Sequence, residues 1–134
     1  MRNHRFISQN HCIFRLIFHV VFVTKFRKKC LTQTILHELY EFLPIYTRKL
    51  GLSIEKIQGE EDHLHFLLEM SPKDRLSNII GTIKCSSSSF LYKNGHKFPY
   101  FGKLSKTIWS SGYFVCSTGG VSIDILKKYI ENQG

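Results

Sequence analysis

A chain of 134 residues with 43% hydrophobic side chains can bury one sizeable core and is too short for two comfortable domains, so a single domain over residues 1–134 is expected. Lys and Arg total 19 against 10 Asp and Glu, and the net charge of +9 turns the surface toward polyanions, with nucleic acid first among partners. No apolar run approaches the roughly 20 residues of a membrane span, no cleavage site follows the apolar stretch Cys12–Val23, and the scattered Cys12, Cys30, Cys85 and Cys116 match neither a zinc ribbon nor a disulfide scaffold. A cytoplasmic protein with free thiols is expected.

Residues 1–12 are polar and read as a loosely held arm. Phe14–Thr24 is β-branched and aromatic, the pattern of a long strand buried on much of both faces. Lys25, Arg27, Lys28 and Lys29 form a basic turn. Thr32–Leu50 carries apolar residues at helical spacing, with Thr32 or Thr34 as N-cap, Gly51 as the stop and Pro44 as an expected kink or break. Ser53–Gln58 and His63–Met70 read as a strand pair around an acidic turn, Gly59–Asp62. Leu64, Phe66 and Leu68 alternate with His63, His65 and Leu67, so one face suits a core and the other offers imidazoles.

Leu76–Tyr92 reads as a second helix, with Cys85–Ser89 as a small-residue face. Asn94–Lys106 is loop-like, and its aromatics interleaved with lysines suit stacking on unpaired bases as well as they suit an ordinary core-covering loop. Ile108–Cys116 reads as a further strand that draws Tyr113 into the core. After Ser117-Thr118-Gly119-Gly120, residues 121–134 read as a last helix.

Side chains two apart on a strand share a face, so His63 and His65 can address one metal ion; side chains four apart on a helix do the same, so Tyr129 and Gln133 can be presented together. Two neutral imidazoles and an amide oxygen would leave positions open on the ion, as a catalytic site requires. Phosphate oxygens favour Mg²⁺ or Mn²⁺ there. Near a divalent cation, or near Lys127 and Lys128, the Tyr129 phenol loses its proton more easily and becomes a nucleophile that would form a covalent phosphotyrosine. A histidine-triad hydrolase would need a third His where Leu67 stands, and a zincin would need both histidines on a helix with a glutamate after the first.

With these residues assembled, the chain resembles the single-tyrosine transposases of the HUH superfamily, the TnpA-type enzymes of the smallest insertion sequences and their relatives associated with repetitive extragenic palindromes. The likeness runs from Phe18 to Gln133. It rests on four blocks: His19-Val20-Val21-Phe22-Val23-Thr24-Lys25-Phe26-Arg27, Asp62-His63-Leu64-His65, Trp109-Ser110-Ser111-Gly112-Tyr113-Phe114-Val115 and Tyr129-Ile130-Glu131-Asn132-Gln133. The resemblance implies an α+β domain with a central antiparallel sheet and helices packed on it, of ferredoxin-like or RNA-recognition type. It implies metal ligation by His63, His65 and Gln133 and nucleophilic attack by Tyr129. The implied substrate is single-stranded DNA with hairpin ends, cleaved to a 5′-phosphotyrosine and a free 3′-hydroxyl and then rejoined. It further implies a homodimer with the tyrosine helix docked in trans, an exchange that Gly119-Gly120 would permit. Glu60-Glu61 departs from the family pattern and places two carboxylates near the histidines.

Candidate DNA contacts are Lys25, Arg27, Lys28 and Lys29, followed by Arg75, Lys84, Lys103 and Lys106. The competing reading is a non-catalytic single-stranded nucleic-acid-binding module in which the histidines merely pack. A metal-dependent hydrolase of small phosphoesters is disfavoured, because a tyrosine on a late helix has no role in direct attack by water.

Overall fold

The computed structural model describes residues 7–9, 12–14, 16–102, 105–117 and 131–132, the first two segments through their backbone alone. Strands β1 (Ile7–Gln9) and β2 (Cys12–Phe14) pair antiparallel, so the segment expected as a loose arm contributes β1 and the first residue of β2 to a two-stranded sheet. The long strand expected from Phe14 to Thr24 is divided between β2 and β3 (Leu16–Val23). There follow α1 (Gln33–Lys49), β4 (Ser53–Glu60), β5 (His63–Met70), α2 (Leu76–Lys93) and β6 (Phe114–Ser117). Strands β3 to β6 form one antiparallel sheet in the order β4-β5-β3-β6. From β3 onward the chain is therefore a β-α-β-β-α-β unit with its first and third strands adjacent at the centre, the split βαβ arrangement of ferredoxin-like domains.

Thr32 caps α1 by accepting a hydrogen bond from the Ile35 amide at 3.2 Å, and Gly51, at φ 80°, closes it in the left-handed conformation that glycine tolerates. Contrary to expectation, the helix runs through Pro44 without interruption. Loss of one helical hydrogen bond and the ring clash cost about 3 kcal/mol. Leu39 and Leu43, both fully buried on the sheet-facing side, offset that at roughly 1.5–3 kcal/mol each. One turn further on, the buried Thr47 hydroxyl donates to the Leu43 carbonyl at 2.8 Å.

The serine tract of α2 is a small-residue helix face, as expected, and it is also polar plumbing. Ser87 Oγ accepts from Trp109 Nε1 at 2.9 Å and donates to the Ile83 carbonyl at 2.8 Å, and Ser88 Oγ accepts from the Ile108 amide at 3.1 Å. A fully buried indole can thus sit against Phe22, ring centroids 5.4 Å apart, without an unsatisfied N–H. The strand expected over Ile108–Cys116 is reduced to a Thr24–Trp109 bridge and β6. Between them, the carbonyls of Ser110, Ser111 and Gly112 accept from Lys84 Nζ at 2.7, 3.2 and 2.8 Å, so a side chain takes acceptors that a neighbouring strand would have used. Tyr113 accordingly lies outside β6 and is 37% exposed, not in the core.

Gly59 fixes how closely α1 lies on the histidine hairpin. A Cβ there would meet the His63 carbonyl oxygen and Leu36 Cδ2, each at 2.8 Å, while the Gly59 amide donates to Tyr40 Oη at 2.9 Å. Because Gly59 and Glu60 pair with Leu64 and His63, the expected acidic turn shrinks to Glu61-Asp62.

Candidate active site

Alternation along β5 sorts its side chains as the sequence pattern predicts. Leu64, Phe66 and Leu68 are buried in the core beneath the helices, and His63, His65, Leu67 and Glu69 share the other face. The register adds Val23, Val21, His19 and Ile17 of β3 and Glu60 and Gln58 of β4 to that second face. His63 is 8% exposed and His65 is half-buried, with ring centroids 6.0 Å apart and planes inclined by only 21°.

The hairpin tip is anchored from outside. The Thr24 amide donates to the Asp62 carbonyl at 3.0 Å and the Leu31 amide to that of Glu61 at 2.9 Å. This backbone tether directs the Asp62 carboxylate to His63: Oδ1 lies 2.9 Å from Nδ1, and Arg27 Nε donates to Oδ2 at 3.3 Å. Burial opposes ionisation of Asp62, but the hydrogen bond and charge of His63, and then those of Arg27, outweigh it and hold the carboxyl below its ordinary range. An ionised Asp62 accepts from Nδ1 of His63, so in the neutral tautomer that this bond selects the Nε2 lone pair is the one left for a ligand. Burial, then the neighbouring His63 and His19, push the pKa of His65 down against the opposing charge of Glu60, so this imidazole is neutral near pH 7.

Two imidazoles on one face, one of them oriented by a carboxylate, fit a divalent ion as part of a ligand set. Among the described residues, no group of three or more His, Cys, Asp or Glu side chains is placed to hold a metal, so any further ligand must be of another type or come from elsewhere in the chain. The expected Tyr129, Gln133 and Lys103 lie outside the described residues. Glu131, two positions after Tyr129, is described: its carbonyl accepts from Arg27 Nη1 at 3.1 Å, so the end of the chain meets the same arginine that holds Asp62. Residue-type reasoning missed the orienting role of Asp62 and read Arg27 only as a DNA contact. An acidic residue directly before the first histidine of a hairpin was the available signal.

The candidate cations have separate fates. The Lys84 ammonium is spent on three backbone carbonyls and lies over the rings of Phe22 and Tyr113 at 5.5 and 5.4 Å, and burial lowers its pKa. Lys25 Nζ donates to Ser105 Oγ at 2.5 Å. Lys28 is exposed and stands 5.5 Å from the centroid of the Tyr100 ring, and Lys29 is exposed with a 4.0 Å approach to Glu61. Arg75 and Lys106 are exposed as well. Among the described residues no helix is long and apolar enough to cross a membrane.

The chain is similar to known proteins over most of its length. The family model described as "Transposase IS200 like" matches residues 12–133. The transposase for insertion sequence element IS200 of Salmonella typhimurium is 30% identical over 132 residues, covering 94% of this chain and 82% of that protein. The ISDra2 transposase TnpA of Deinococcus radiodurans is 20% identical over 123 residues, covering 90% of this chain and 86% of its own length. A crystal structure of a Deinococcus radiodurans R1 protein assigned as a transposase superposes with a TM-score of 0.85 at 22% identity, covering 95% of this chain and 97% of that one, and supports the fold.

Proposed function

Since this chain belongs to the IS200-like transposase family, we propose that it cleaves and rejoins single-stranded DNA through a covalent bond to Tyr129. The observation that carries this reading is the Arg27–Asp62–His63 chain of hydrogen bonds beside a neutral His65, an arrangement that a merely packed histidine pair does not need. In the proposed step, Tyr129 Oη attacks the scissile phosphorus and gives its proton to solvent. The bond to the 3′ oxygen breaks, and that oxygen takes a proton to become a free 3′-hydroxyl, leaving a 5′-phosphotyrosine. Reversal by another 3′-hydroxyl rejoins the strand with no nucleotide energy source. His63, His65 and Gln133 would hold Mg²⁺ or Mn²⁺, which supplies Lewis-acid polarisation of the phosphate. Asp62 keeps His63 in the ligating tautomer, and Lys28, Lys29, Arg75 and Lys106 remain exposed for phosphate contacts.

The test is incubation of end-labelled single strands from the flanks of the encoding gene with Mg²⁺, comparing the unaltered chain with Tyr129→Phe on a denaturing protein gel. A metal-dependent DNA-linked band that vanishes in the variant supports the reading; tight binding with no adduct on any flank or palindrome sinks it. We further propose a homodimer acting on hairpin ends. The Arg27 bond to the Glu131 carbonyl supports seating of the chain's own end beside its own histidines, and exchange into the partner is testable by mixing. Cleavage recovered when Tyr129→Phe subunits meet His63→Ala/His65→Ala subunits requires docking in trans, and its absence leaves each site built from one chain.

A further inference from the structure

The most exposed large apolar side chain among the described residues is Phe26, at 72%, and it lies in the most basic stretch of the sequence. Its backbone is as unusual as its exposure. Phe26 and Arg27 stand at φ 57° and 51°, a left-handed pair inside the short turn Lys25–Arg27 where glycine or asparagine would be the ordinary occupant. A bulky ring is thus disfavoured twice at this position, by its backbone and by water.

The turn is bolted in place on several sides. The Lys25 amide donates to the Ile108 carbonyl at 2.9 Å, the Arg27 amide to the Thr24 carbonyl at 3.0 Å, and the buried Thr24 hydroxyl to the Lys28 carbonyl at 2.7 Å. Lys25 and Arg27, on either side of the ring, are tied inward to Ser105 and Asp62, while Lys28 and Lys29 stay in solvent. The result is an exposed aromatic ring on a fixed backbone beside the exposed ammonium groups of Lys28 and Lys29, one residue from the arginine that holds the Asp62–His63 pair. Stacking a base costs less conformational freedom when the backbone that carries the ring is already held, and nearby lysines match the phosphates on either side of that base.

We propose that Phe26 is the stacking platform for one unpaired base of the bound strand, positioned next to the histidine pair, with Lys28 and Lys29 on the adjacent phosphates. This rests on the reading of single-stranded DNA as the substrate. The decisive variants are Phe26→Asn, which removes the ring while suiting the left-handed backbone, and Phe26→Tyr, which keeps it. Affinity is measured for a mixed-sequence single strand carrying 2-aminopurine at each position in turn. Phe26→Asn is expected to weaken binding about 5- to 100-fold, to abolish the quenching seen at one position with the unaltered chain, and to leave the slope of log affinity against log salt unchanged. Its melting temperature should equal or exceed that of the unaltered chain, and Phe26→Tyr should restore affinity and quenching.

Unchanged affinity in Phe26→Asn would overturn the proposal. So would a loss accompanied by a lower melting temperature, which makes the ring a packing element, or by dissociation in sedimentation, which makes it a contact between copies. The Tyr129 adduct is followed on the same samples. An adduct with no effect of Phe26→Asn on affinity refutes the platform alone, whereas quenching at Phe26 without an adduct in the unaltered chain refutes strand transfer alone.

Discussion

The two faces of the central sheet are built from the same strands by the same alternation, and both are buried at their centre, yet they hold different kinds of residue. The helix-covered face presents Val20, Phe22, Leu64, Phe66 and Leu68, all at 0–1% exposure. The other presents Val21, Val23 and Ile17 together with His63, His65, His19 and Glu69. Burying polar and titratable groups costs free energy that apolar side chains of similar size would not. A sheet that keeps them on one face only has separated folding from chemistry by a single residue of register.

The separation can be broken from the core side first. Phe66→Ala removes a fully buried ring that packs edge-on to Phe22 at 5.4 Å; it should cost about 3–5 kcal/mol, read as a lower denaturant midpoint. Gly59→Ala acts where the faces meet, because the new methyl crowds both Leu36 in the core and the His63 carbonyl. Loss of about 1–3 kcal/mol is expected, together with weaker metal binding as the hairpin shifts. Equal stability with unchanged metal affinity would show that α1 can lift away freely.

Asp62→Asn should break the second face and spare the first. With no carboxylate to hold Nδ1–H, metal affinity is expected to fall about 10- to 100-fold by Mn²⁺ titration, while cleavage follows the metal occupancy. An unchanged Mn²⁺ affinity would reduce the Asp62–His63 bond to structural support. The smallest effect is on pH dependence. Asp62 has its carboxyl held below the ordinary range, so its contribution to stability is present above the unfolded value of about 3.9 and is lost as pH falls through the folded one. Stability curves of the unaltered chain and Asp62→Asn should therefore differ by a constant near neutrality and converge in acid. Curves that stay parallel would mean that the carboxylate is not stabilised in the folded chain.

Features governed by neighbours in the chain were legible without the fold. The His63–Met70 alternation, the threonine cap and the Gly51 stop depend on period, on one side-chain oxygen and on one left-handed residue; the alternation and the stop stand as read, and of the two threonines offered as cap it is Thr32 that serves. Features governed by competition between distant groups were not. Lys84 looked like a phosphate contact because an ammonium is indifferent to whether its acceptor is a phosphate or a carbonyl; only packing of α2 against residues 110–112 supplied the carbonyls. The same competition shortened the last strand and turned Tyr113 outward.

Sequence by itself determined the order of elements from β3 to β6, the sharing of one sheet face by His63 and His65, and the likeness to single-tyrosine transposases carried by four blocks of residues, because periodicity and residue type are properties of the chain. Tertiary structure alone decided that Asp62 orients His63, that Arg27 joins Asp62 to the Glu131 carbonyl, that α1 survives Pro44, and that Phe26 is held out in water on a left-handed backbone. Each of those outcomes is a choice among partners separated widely in the chain, or a local penalty repaid by burial elsewhere, and neither can be read from the residues adjacent to it.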